Sequence, residues 1–216
     1  MHDFFQNFIE QVEQTSLLEY IAVVTGIASV FFSKKENILV YPVGLINTII
    51  YVFISIEGAL YGEASVNLYY TIMSIYGWIL WAKKDRQQHI VLHITFSNKK
   101  EWRNQLLFFA FFYVAIFSAL TWLKNAFYAN TIPAMDAFAS ATAFTGMWLM
   151  AKKKVESWYW WLATNLISIP LYFIKGYALT SVYYIVLLVL AVFGLIEWMQ
   201  RAKAVQQATK FNFETQ

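Results

Sequence analysis

The chain has 216 residues, of which 59% are hydrophobic, 19% are aromatic and 13% are charged. A soluble domain is roughly 45–50% apolar and about 25% charged, so this composition excludes an ordinary soluble fold and indicates a chain surrounded by a lipid bilayer. The formal net charge of +3 by itself excludes no class of protein. The lack of cysteine excludes disulfides, thiolate metal sites and thiol chemistry.

Seven uncharged windows follow one another along the chain and predict seven transmembrane helices. Five of them contain 18 to 21 residues, the length that a helix needs to cross roughly 30 Å of hydrocarbon. The first and the fifth are shorter, and each extends past a single acid, Glu19 or Asp136. No window alternates apolar and polar residues as the strands of a membrane barrel do. The windows are 20–33, 37–56, 64–82, 104–123, 137–151, 157–174 and 176–196.

The basic residues lie almost entirely in alternate gaps between these windows. Lys124 and Lys175 are alone in one set of gaps, and the other fourteen of the 16 Lys and Arg residues lie in the other set. Because Lys and Arg accumulate in cytoplasmic loops, the pattern predicts an N-terminus outside the cell and a C-terminus in the cytoplasm. Residues 1–16 lack the basic region of a signal peptide, so we expect the first helix to be retained.

The first three predicted helices resemble the last three at an offset of 118 residues, reduced by one in the last helix. Since one helix separates the two units, both begin on the outer side, and an axis along the membrane normal relates them. Parallel repeats of this kind occur in transporters whose substrate binds near the midplane between the halves. The predicted fold is therefore an all-α integral membrane protein with a 3+1+3 arrangement of seven transmembrane helices. The aligned pairs are Lys34 with Lys152, Lys35 with Lys153, Asn47 with Asn165, Gly58 with Gly176, Gly77 with Gly194, and Trp81 with Trp198.

These patterns divide the chain into segments, of which the cytoplasmic loop is the largest outside the membrane. In that loop His89 and His93 have the spacing of a metal-binding pair on a helix. No carboxylate accompanies them at ligand spacing, so we expect a solvated loop, no metal and no other cofactor. The segments are an external stretch 1–16, the first repeat 17–82, the cytoplasmic loop 83–103, a linking helix 104–124, the second repeat 132–199 and a cytoplasmic tail 200–216.

Polar and aromatic residues form continuous faces on the sixth and the third predicted helices. On the sixth they are spaced 3, 4, 3 and 4 residues apart, which places them on one side of an α-helix. Polar groups in hydrocarbon are costly unless they face the interior of a bundle, so these faces predict a binding site between helices. The sixth helix carries Trp158, Trp161, Asn165, Ser168 and Tyr172, and the third carries Asn67, Tyr70, Ser74, Trp78 and Trp81.

The other helices contribute shorter polar groups. Ser, Thr and Asn in spans often only link helices, at about 0.6 kcal/mol each, and Trp near a helix end is commonly interfacial, so we expect Trp81 and Trp198 in such a belt. The face with Trp161 and Asn165 favours a ligand site, because a buried amide needs partners for two donors and two acceptors. The shorter groups are Asn47, Thr48, Tyr51 and Ser55 on helix two, Ser140, Thr142, Thr145 and Trp148 on helix five, and Tyr183 and Tyr184 on helix seven.

Lys, Arg and His are absent from all seven windows. A proton-coupled pump normally needs a titratable group near the membrane centre, and a phosphorylated substrate needs cationic side chains or a phosphate cradle. The pattern therefore favours an unphosphorylated, ring-containing solute, neutral or cationic, that moves down its own gradient. A membrane enzyme would need a nucleophile–base pair or a metal cluster, and a channel would need a charged or carbonyl-lined filter. We expect neither activity, and no nucleic-acid partner.

Several motifs of the chain resemble the PnuC family of bacterial vitamin transporters, over the stretch from about Leu17 to Trp198. The resemblance implies a SWEET-like fold in the inner membrane, with two three-helix bundles joined by a linking helix. It also implies uptake of nicotinamide riboside by facilitated diffusion, with a cytosolic kinase that traps the product. The motifs are Gly44-Leu-Ile-Asn47, Tyr76-Gly-Trp78 followed by Trp81, Asp136, and Trp158-Tyr-Trp-Trp161 followed by Asn165.

The same resemblance implies roles for particular residues. The family's W-x-x-W motif matches Trp158 and Trp161, and its N-x-x-Y motif matches Asn67 and Tyr70. Trp faces would stack on the pyridinium ring, Asn would pair with the carboxamide, and Tyr and Thr would bind the ribose hydroxyls. Together with the polar faces, the candidate binding residues are Trp158, Trp161, Asn165, Asn67, Tyr70, Asn47, Ser168, Tyr172, Trp78 and Thr145.

Substrate and assembly leave alternatives open. Thiamine is also an aromatic cation, and relatives of the family are similar to thiamine or riboflavin transporters. A monomer and a homo-oligomer are equally compatible with the exposed small-residue faces. For the mechanism we expect the two bundles to rock around the site, with Gly44, Gly77 and Gly194 allowing close helix approach.

Overall fold

The structure is a computed structural model that describes residues 6, 9, 10, 12, 13, 15–57, 61–124 and 132–214. From residue 15 onward, its regular elements in these ranges are seven helices, and extended pairing is limited to two isolated bridges. Each of the seven predicted windows contains one of these helices. They are α1 Leu17–Lys34, α2 Val40–Glu57, α3 Tyr61–Ala82, α4 Lys99–Lys124, α5 Pro133–Ala151, α6 Ser157–Ile174 and α7 Ala178–Glu214.

Four of the helices are long and apolar enough to cross a membrane. These are α1, α2, the Lys99–Trp122 part of α4 and the Ala178–Ala208 part of α7. The three others, α3, α5 and α6, are the helices whose faces carry most of the predicted polar and aromatic residues. The prediction of an all-helical, multi-pass membrane protein is therefore confirmed, and seven spans remain a prediction.

Local capping determines where several helices begin and end. The Ser16 side chain accepts a hydrogen bond from the Glu19 N–H at 3.2 Å at the start of α1, as a helix N-cap commonly does. Pro133 opens α5, a position where its missing N–H costs nothing. The Asp136 carboxylate accepts the Ile132 N–H at 2.8 Å and ties down the chain just before that helix.

The helices pack in two groups that follow chain order. In the first group α2 lies between α1 and α3, and in the second α6 lies between α5 and α7. The groups meet where α1 packs on α7 and where α3 packs on α5, and α4 lies on the outside against α5. The two contacts between the groups are symmetry-equivalent if α1 corresponds to α5 and α3 to α7.

One end of the bundle is rich in basic residues, and we call it the basic end. It contains the turn between α1 and α2, the turn between α5 and α6, and the loop before α4. This end is closed by four aromatic side chains, the aromatic plug. The plug consists of Tyr41, Trp81, Trp158 and Trp198.

The plug is densely packed. The Trp198 ring is 5.6 Å from Trp158 and 6.1 Å from Trp81, whose ring is 5.1 Å from Tyr41. The expected belt position of Trp81 and Trp198 is wrong, because their side chains are only 4% and 0% exposed. An interfacial belt needs rings that face the lipid headgroups, whereas these rings face each other.

The predicted close approach at three glycines is confirmed. A Cβ atom on Gly77 would lie 2.5 Å from the Tyr41 ring, and one on Gly194 would lie 2.5 Å from the Trp158 ring. At Gly44 the Ser29 hydroxyl would be 2.8 Å away. Two of the three glycines therefore make room for the plug itself.

The loop between α3 and α4 is exposed in its first half and anchored in its second. His89 and His93 are exposed, as expected of a solvated segment. The expectation that no carboxylate accompanies them is wrong, because the Asp85 carboxylate lies 3.5 Å from the His89 Nδ1. Ile94 is buried, and the N–H and hydroxyl of Ser97 both donate to the Glu156 carboxylate. The described residues contain no group of three or more potential His, Cys, Asp or Glu metal ligands.

Candidate functional site

Six aromatic side chains from four helices gather between the two groups, and we call them the aromatic cage. The Tyr70 ring is 6.3 Å from Trp161, and the Tyr172 ring is stacked on Tyr184 at 5.3 Å with an interplanar angle of 11°. All six are half-buried, so each keeps part of its surface open. The cage consists of Tyr51, Tyr70, Trp161, Tyr172, Tyr183 and Tyr184.

The Tyr184 hydroxyl is the centre of the cage. It lies within hydrogen-bonding reach of Tyr172 and of the predicted site residue Ser168. The hydroxyls of Tyr51 and Tyr70 are also its neighbours. The cage therefore offers both flat ring faces and a set of hydroxyls that can donate and accept hydrogen bonds.

Asn165 supplies an amide on the same face of α6 as Trp161. Its side chain is 3% exposed, and it makes no hydrogen bond to any residue that the structure describes. The described side chains whose polar atoms are fully enclosed without a partner are Tyr41, Ser157 and Trp158, and Asn165 is not among them. The amide is therefore free to bind a polar group that enters beside the Trp161 ring.

Asn47 borders the cage through Tyr183. Its amide donates to the Ala22 carbonyl at 2.6 Å, which links α2 to α1. A Cβ on Gly26 would lie 2.5 Å from the Tyr183 hydroxyl and 2.8 Å from the Asn47 amide nitrogen. Gly26 thus makes the space in which these two polar groups come together. Part of the hydrogen-bonding capacity of Asn47 is used between helices, and the rest faces the Tyr183 side of the cage.

The remaining four predicted site residues are not among the six rings of the cage and have other contacts. The Asn67 amide donates to the Glu63 carbonyl of its own helix at 3.0 Å, and the buried Thr145 hydroxyl donates to the Ala141 carbonyl at 2.8 Å. Trp78 is 39% exposed on the outside of the bundle. Trp158 is 1% exposed within the aromatic plug, whereas Trp161, its partner in the W-x-x-W motif, is half-buried and packs against the cluster that contains the plug.

Tyr51, Tyr183 and Tyr184 are cage residues that the sequence did not single out as candidates. Each was visible as a polar group within a predicted span, but no spacing rule connects them, because they lie on two helices that are far apart in sequence. Their signal was the clustering of tyrosine near the outer ends of helices two and seven. Only the packing of the two groups against each other, α1 on α7 and α3 on α5, brings these residues together.

The end of the cage remote from the plug carries a small set of charges. The Glu63 carboxylate lies near Tyr51, Tyr172 and Tyr184. Lys175 forms an ion pair with Asp136 at 2.6 Å. Among the described residues, no Lys, Arg or His belongs to the cage itself. The entrance is therefore neutral to acidic in character.

Comparison with known proteins connects this arrangement to one family. A family model described as nicotinamide mononucleotide transporter matches residues 16–200. The nicotinamide riboside transporter PnuC of Escherichia coli is 23% identical over 208 residues, with 87% of each chain covered. The nicotinamide riboside transporter PnuC of Neisseria mucosa is 28% identical over 201 residues, with 87% of this chain and 74% of the relative covered. The riboflavin/roseoflavin transporter RibM of Streptomyces davaonensis is 22% identical over 187 residues, with 83% of each covered.

A solved structure has the same fold. The crystal structure of the vitamin B3 transporter PnuC superposes with a TM-score of 0.69 at 23% identity and covers 93% of this chain and 88% of its own. The family match extends over most of the described chain, and the relatives named above are transporters. The chain therefore belongs to the PnuC family of vitamin transporters.

Proposed function

We propose that this protein takes up nicotinamide riboside by facilitated diffusion and that the aromatic cage is its binding site. Nicotinamide riboside combines a pyridinium cation, a carboxamide and ribose hydroxyls. Tyrosine and tryptophan faces attract a desolvated cation by up to about 2 kcal/mol each. The hydroxyls of Tyr172 and Tyr184 are matched to the ribose, and Ser168 supports them from the same side.

The observation that carries this proposal is the Asn165 amide next to Trp161. The amide makes no hydrogen bond to a described residue and is not fully enclosed, so a ligand in the cage can bind it. A carboxamide is the natural complement, because each amide offers the donor and acceptor that the other needs. The ring of the same substrate would then stack on the Trp161 face, with Tyr70 turning aside to admit it, because the two rings are now 6.3 Å apart and tilted by 48°.

The cage favours the riboside over the phosphorylated mononucleotide. Phosphate recognition relies on Arg, Lys or a row of backbone N–H groups, and the described cage residues include no cationic side chain. The nearest cation at the entrance, Lys175, is held by Asp136 at 2.6 Å. A phosphate at this position would also meet Glu63, which has the same sign of charge.

The proposed transport path runs from the entrance near Glu63 to the basic end. The positive-inside rule makes the basic end cytoplasmic, with seven helices spanning the membrane and the N-terminus outside. The packing of α1 on α7 and of α3 on α5 supports a 3+1+3 arrangement of two parallel repeats. We assign Trp158 to closure of the cytoplasmic side, and we infer that rocking of the two groups opens the plug. A cytosolic kinase then keeps the riboside from returning.

Two other vitamins are the alternative substrates. Thiamine is an aromatic cation that also suits stacked tyrosines, and the relative RibM is a riboflavin transporter. Riboflavin has a ring system that is larger in its own plane than that of the riboside, so it needs a larger area of ring face within the cage. The three ligands therefore differ in how well the same cage accommodates them.

Calorimetric titration of the detergent-purified protein with the riboside, thiamine, riboflavin and the mononucleotide tests the proposal. We expect saturable binding of the riboside and at least tenfold weaker binding of the other three. Tight binding of thiamine or riboflavin alone would leave the cage as the site and replace the substrate. Tight binding of the mononucleotide would contradict the argument from the missing cations.

Uptake into proteoliposomes tests the mode of transport. Facilitated diffusion predicts riboside equilibration in the absence of any ion gradient, with no accumulation above the external concentration. Addition of a riboside kinase and ATP inside the vesicles should then drive accumulation. Concentrative uptake that depends on a sodium or proton gradient would disprove the uniport.

A further inference from the structure

The turns that follow α1 and α5 have the same backbone geometry. Both close their helix with the Schellman pattern, which brings the residue after the C-cap into the left-handed region. That residue is Glu36 in the first turn, with φ 57°, and Lys153 in the second, with φ 50°. The matching N–H to carbonyl pairs are Glu36 to Ser33, Asn37 to Phe32, Lys153 to Met150 and Lys154 to Leu149, all at 2.9–3.0 Å.

Neither position holds the residue that suits this backbone best. Glycine adopts a left-handed conformation without steric cost and is the usual residue here. Other side chains persist in such a conformation where the surrounding structure holds them. We therefore expect the side chains of the glutamate and the lysine at these two positions to make contacts that hold the left-handed backbone in place.

The two side chains bind each other. The Lys153 ammonium lies 2.7 Å from the Glu36 carboxylate, and the second oxygen of that carboxylate lies 3.1 Å from Arg201. The Lys153 side chain is only 3% exposed, and its ammonium also lies 4.7 Å from the centre of the Trp81 ring. A charge enclosed to this degree depends strongly on its partner.

This ion pair joins the two helix groups at the closed end. Glu36 belongs to the turn between α1 and α2, whereas Lys153 and Arg201 belong to the second group. Glu36 and Lys153 occupy equivalent positions in the two turns, so the structural offset here is 117 residues and the predicted alignment of Lys34 with Lys152 and of Lys35 with Lys153 is wrong by one residue. An axis that relates the groups therefore passes between Glu36 and Lys153. Any movement that separates the groups at this end must lengthen the distance between these two residues.

We propose that Glu36 is a positioning residue of the transport cycle, whose carboxylate holds the two groups together at the basic end until the substrate leaves through it. The proposal rests on the proposed function for the direction and purpose of the opening. Release into the cytoplasm then requires the carboxylate to part from Lys153 and Arg201 while the aromatic plug beneath them separates. The opening requires no residue to change its covalent or protonation state.

A single introduced thiol reports the opening directly. Ser157 begins α6 beside the plug, and its hydroxyl is fully enclosed without a hydrogen-bond partner. Because the chain has no cysteine, Ser157→Cys creates one buried thiol at little structural cost. Its rate of labelling by a maleimide, measured without substrate on the purified protein, is proportional to the population that is open at the basic end.

In this background we expect Glu36→Gln to raise the labelling rate roughly tenfold, equivalent to about 1.4 kcal/mol between the two states. Glu101→Gln is the matched control, because Glu101 pairs with Lys154 at 2.8 Å at the same end but joins α4 to the second group only. Its labelling rate should stay unchanged. An unchanged rate in Glu36→Gln, or an equal rise in Glu101→Gln, overturns the proposal.

Two further variants separate the effect of the Glu36 charge on labelling from the effect of the left-handed backbone at this position. Glu36→Gly suits the left-handed turn and also removes the carboxylate, so it should label as fast as Glu36→Gln, and slow labelling would contradict the proposal. Glu36→Gln combined with Lys153→Gln leaves no buried charge unpaired and keeps the test available if the single variant does not fold. The double variant should label no faster than the single one, since both remove the same interaction.

The result is independent of the substrate. Labelling is measured without ligand. If Glu36→Gln labels faster as expected, the role of Glu36 is therefore supported even if the riboside fails to bind. Conversely, normal riboside binding together with unresponsive labelling retains the proposed function and rejects the role of Glu36.

Discussion

The indole N–H of Trp198 donates a hydrogen bond to the Ser33 carbonyl at the end of α1, with an N···O distance of 3.0 Å. The same N–H also lies 3.2 Å from the Lys34 carbonyl, the last of α1, and the equivalent bond in the other half joins the Trp81 indole to the Ala151 carbonyl, the last of α5, at 3.2 Å. The last carbonyls of a helix have no partner within it, so each tryptophan satisfies one such group in the opposite helix group. These two bonds hold the plug in place from both sides.

Trp198→Phe should lower the free energy of unfolding by about 1–2 kcal/mol. Phenylalanine keeps most of the aromatic packing but removes the N–H. The Lys34 carbonyl then loses this donor, whereas the Ser33 carbonyl keeps the Glu36 N–H at 2.9 Å. Thermal unfolding in detergent measures the loss. Trp78→Phe is the matched control, because Trp78 is exposed on the outside of the bundle and should change little. Equal stability of the two variants would mean that the indole bond contributes nothing.

Asn165→Leu should weaken riboside binding by roughly 10- to 100-fold, while the protein still inserts and purifies. Leucine has nearly the same volume, but it leaves the substrate carboxamide without a partner, at a cost of about 1–3 kcal/mol. Asn67→Leu is the matched comparison, because the Asn67 amide bonds to its own helix. The measurement is calorimetric titration of both variants. A larger loss in Asn67→Leu would favour the role implied by the family motif over the one implied by the geometry.

The positions of the helices could be predicted from the sequence because charged residues are excluded from hydrocarbon. Each uncharged window overlaps one helix, and the fold matches that of a PnuC crystal structure, as the family resemblance implies. The surroundings of Trp81 and Trp198 could not be predicted, since a tryptophan near a helix end has the same sequence signature in a lipid-facing belt and in a plug. Only the contact of α1 with α7 and of α3 with α5 distinguishes the two.

The candidate site was predictable along one helix and not between helices. The spacing of Trp161, Asn165, Ser168 and Tyr172 placed them correctly on one face, and that face borders the cage. The same periodicity also included Trp158, one turn before Trp161, because spacing along a helix does not tell how far the cavity extends. Tyr184 was missed because its role depends on stacking against Tyr172, a contact between residues on different helices.

Gly26→Ala should weaken riboside binding by about tenfold without unfolding the protein. The added methyl group would lie 2.5 Å from the Tyr183 hydroxyl and 2.8 Å from the Asn47 amide. Both atoms are at the ends of side chains that can turn away, so the cage changes shape and the backbone does not. Titration of Gly26→Ala and of Gly26→Ala with Tyr183→Phe measures the effect. The double variant should recover part of the affinity, because it removes the hydroxyl that meets the new methyl group. Unchanged affinity in Gly26→Ala would place Tyr183 outside the site.

The two tryptophans of the W-x-x-W motif should respond differently to truncation. Trp161→Ala removes a wall of the cage and should reduce riboside binding below detection, with little loss of stability, because the Trp161 ring is half-buried beside open cage surface. Trp158→Ala should instead lower the free energy of unfolding by about 3–5 kcal/mol, the usual cost of a large cavity in a packed core.

Titration and thermal unfolding on both variants separate these outcomes. The Trp158 ring fills the space over Gly194 and contacts Trp198, so its removal opens a void in the plug rather than in the cage. The Trp158→Ala protein should therefore retain riboside binding wherever it is folded. If Trp158→Ala loses binding at full stability, the substrate reaches the plug and the site extends further toward the basic end than the cage does.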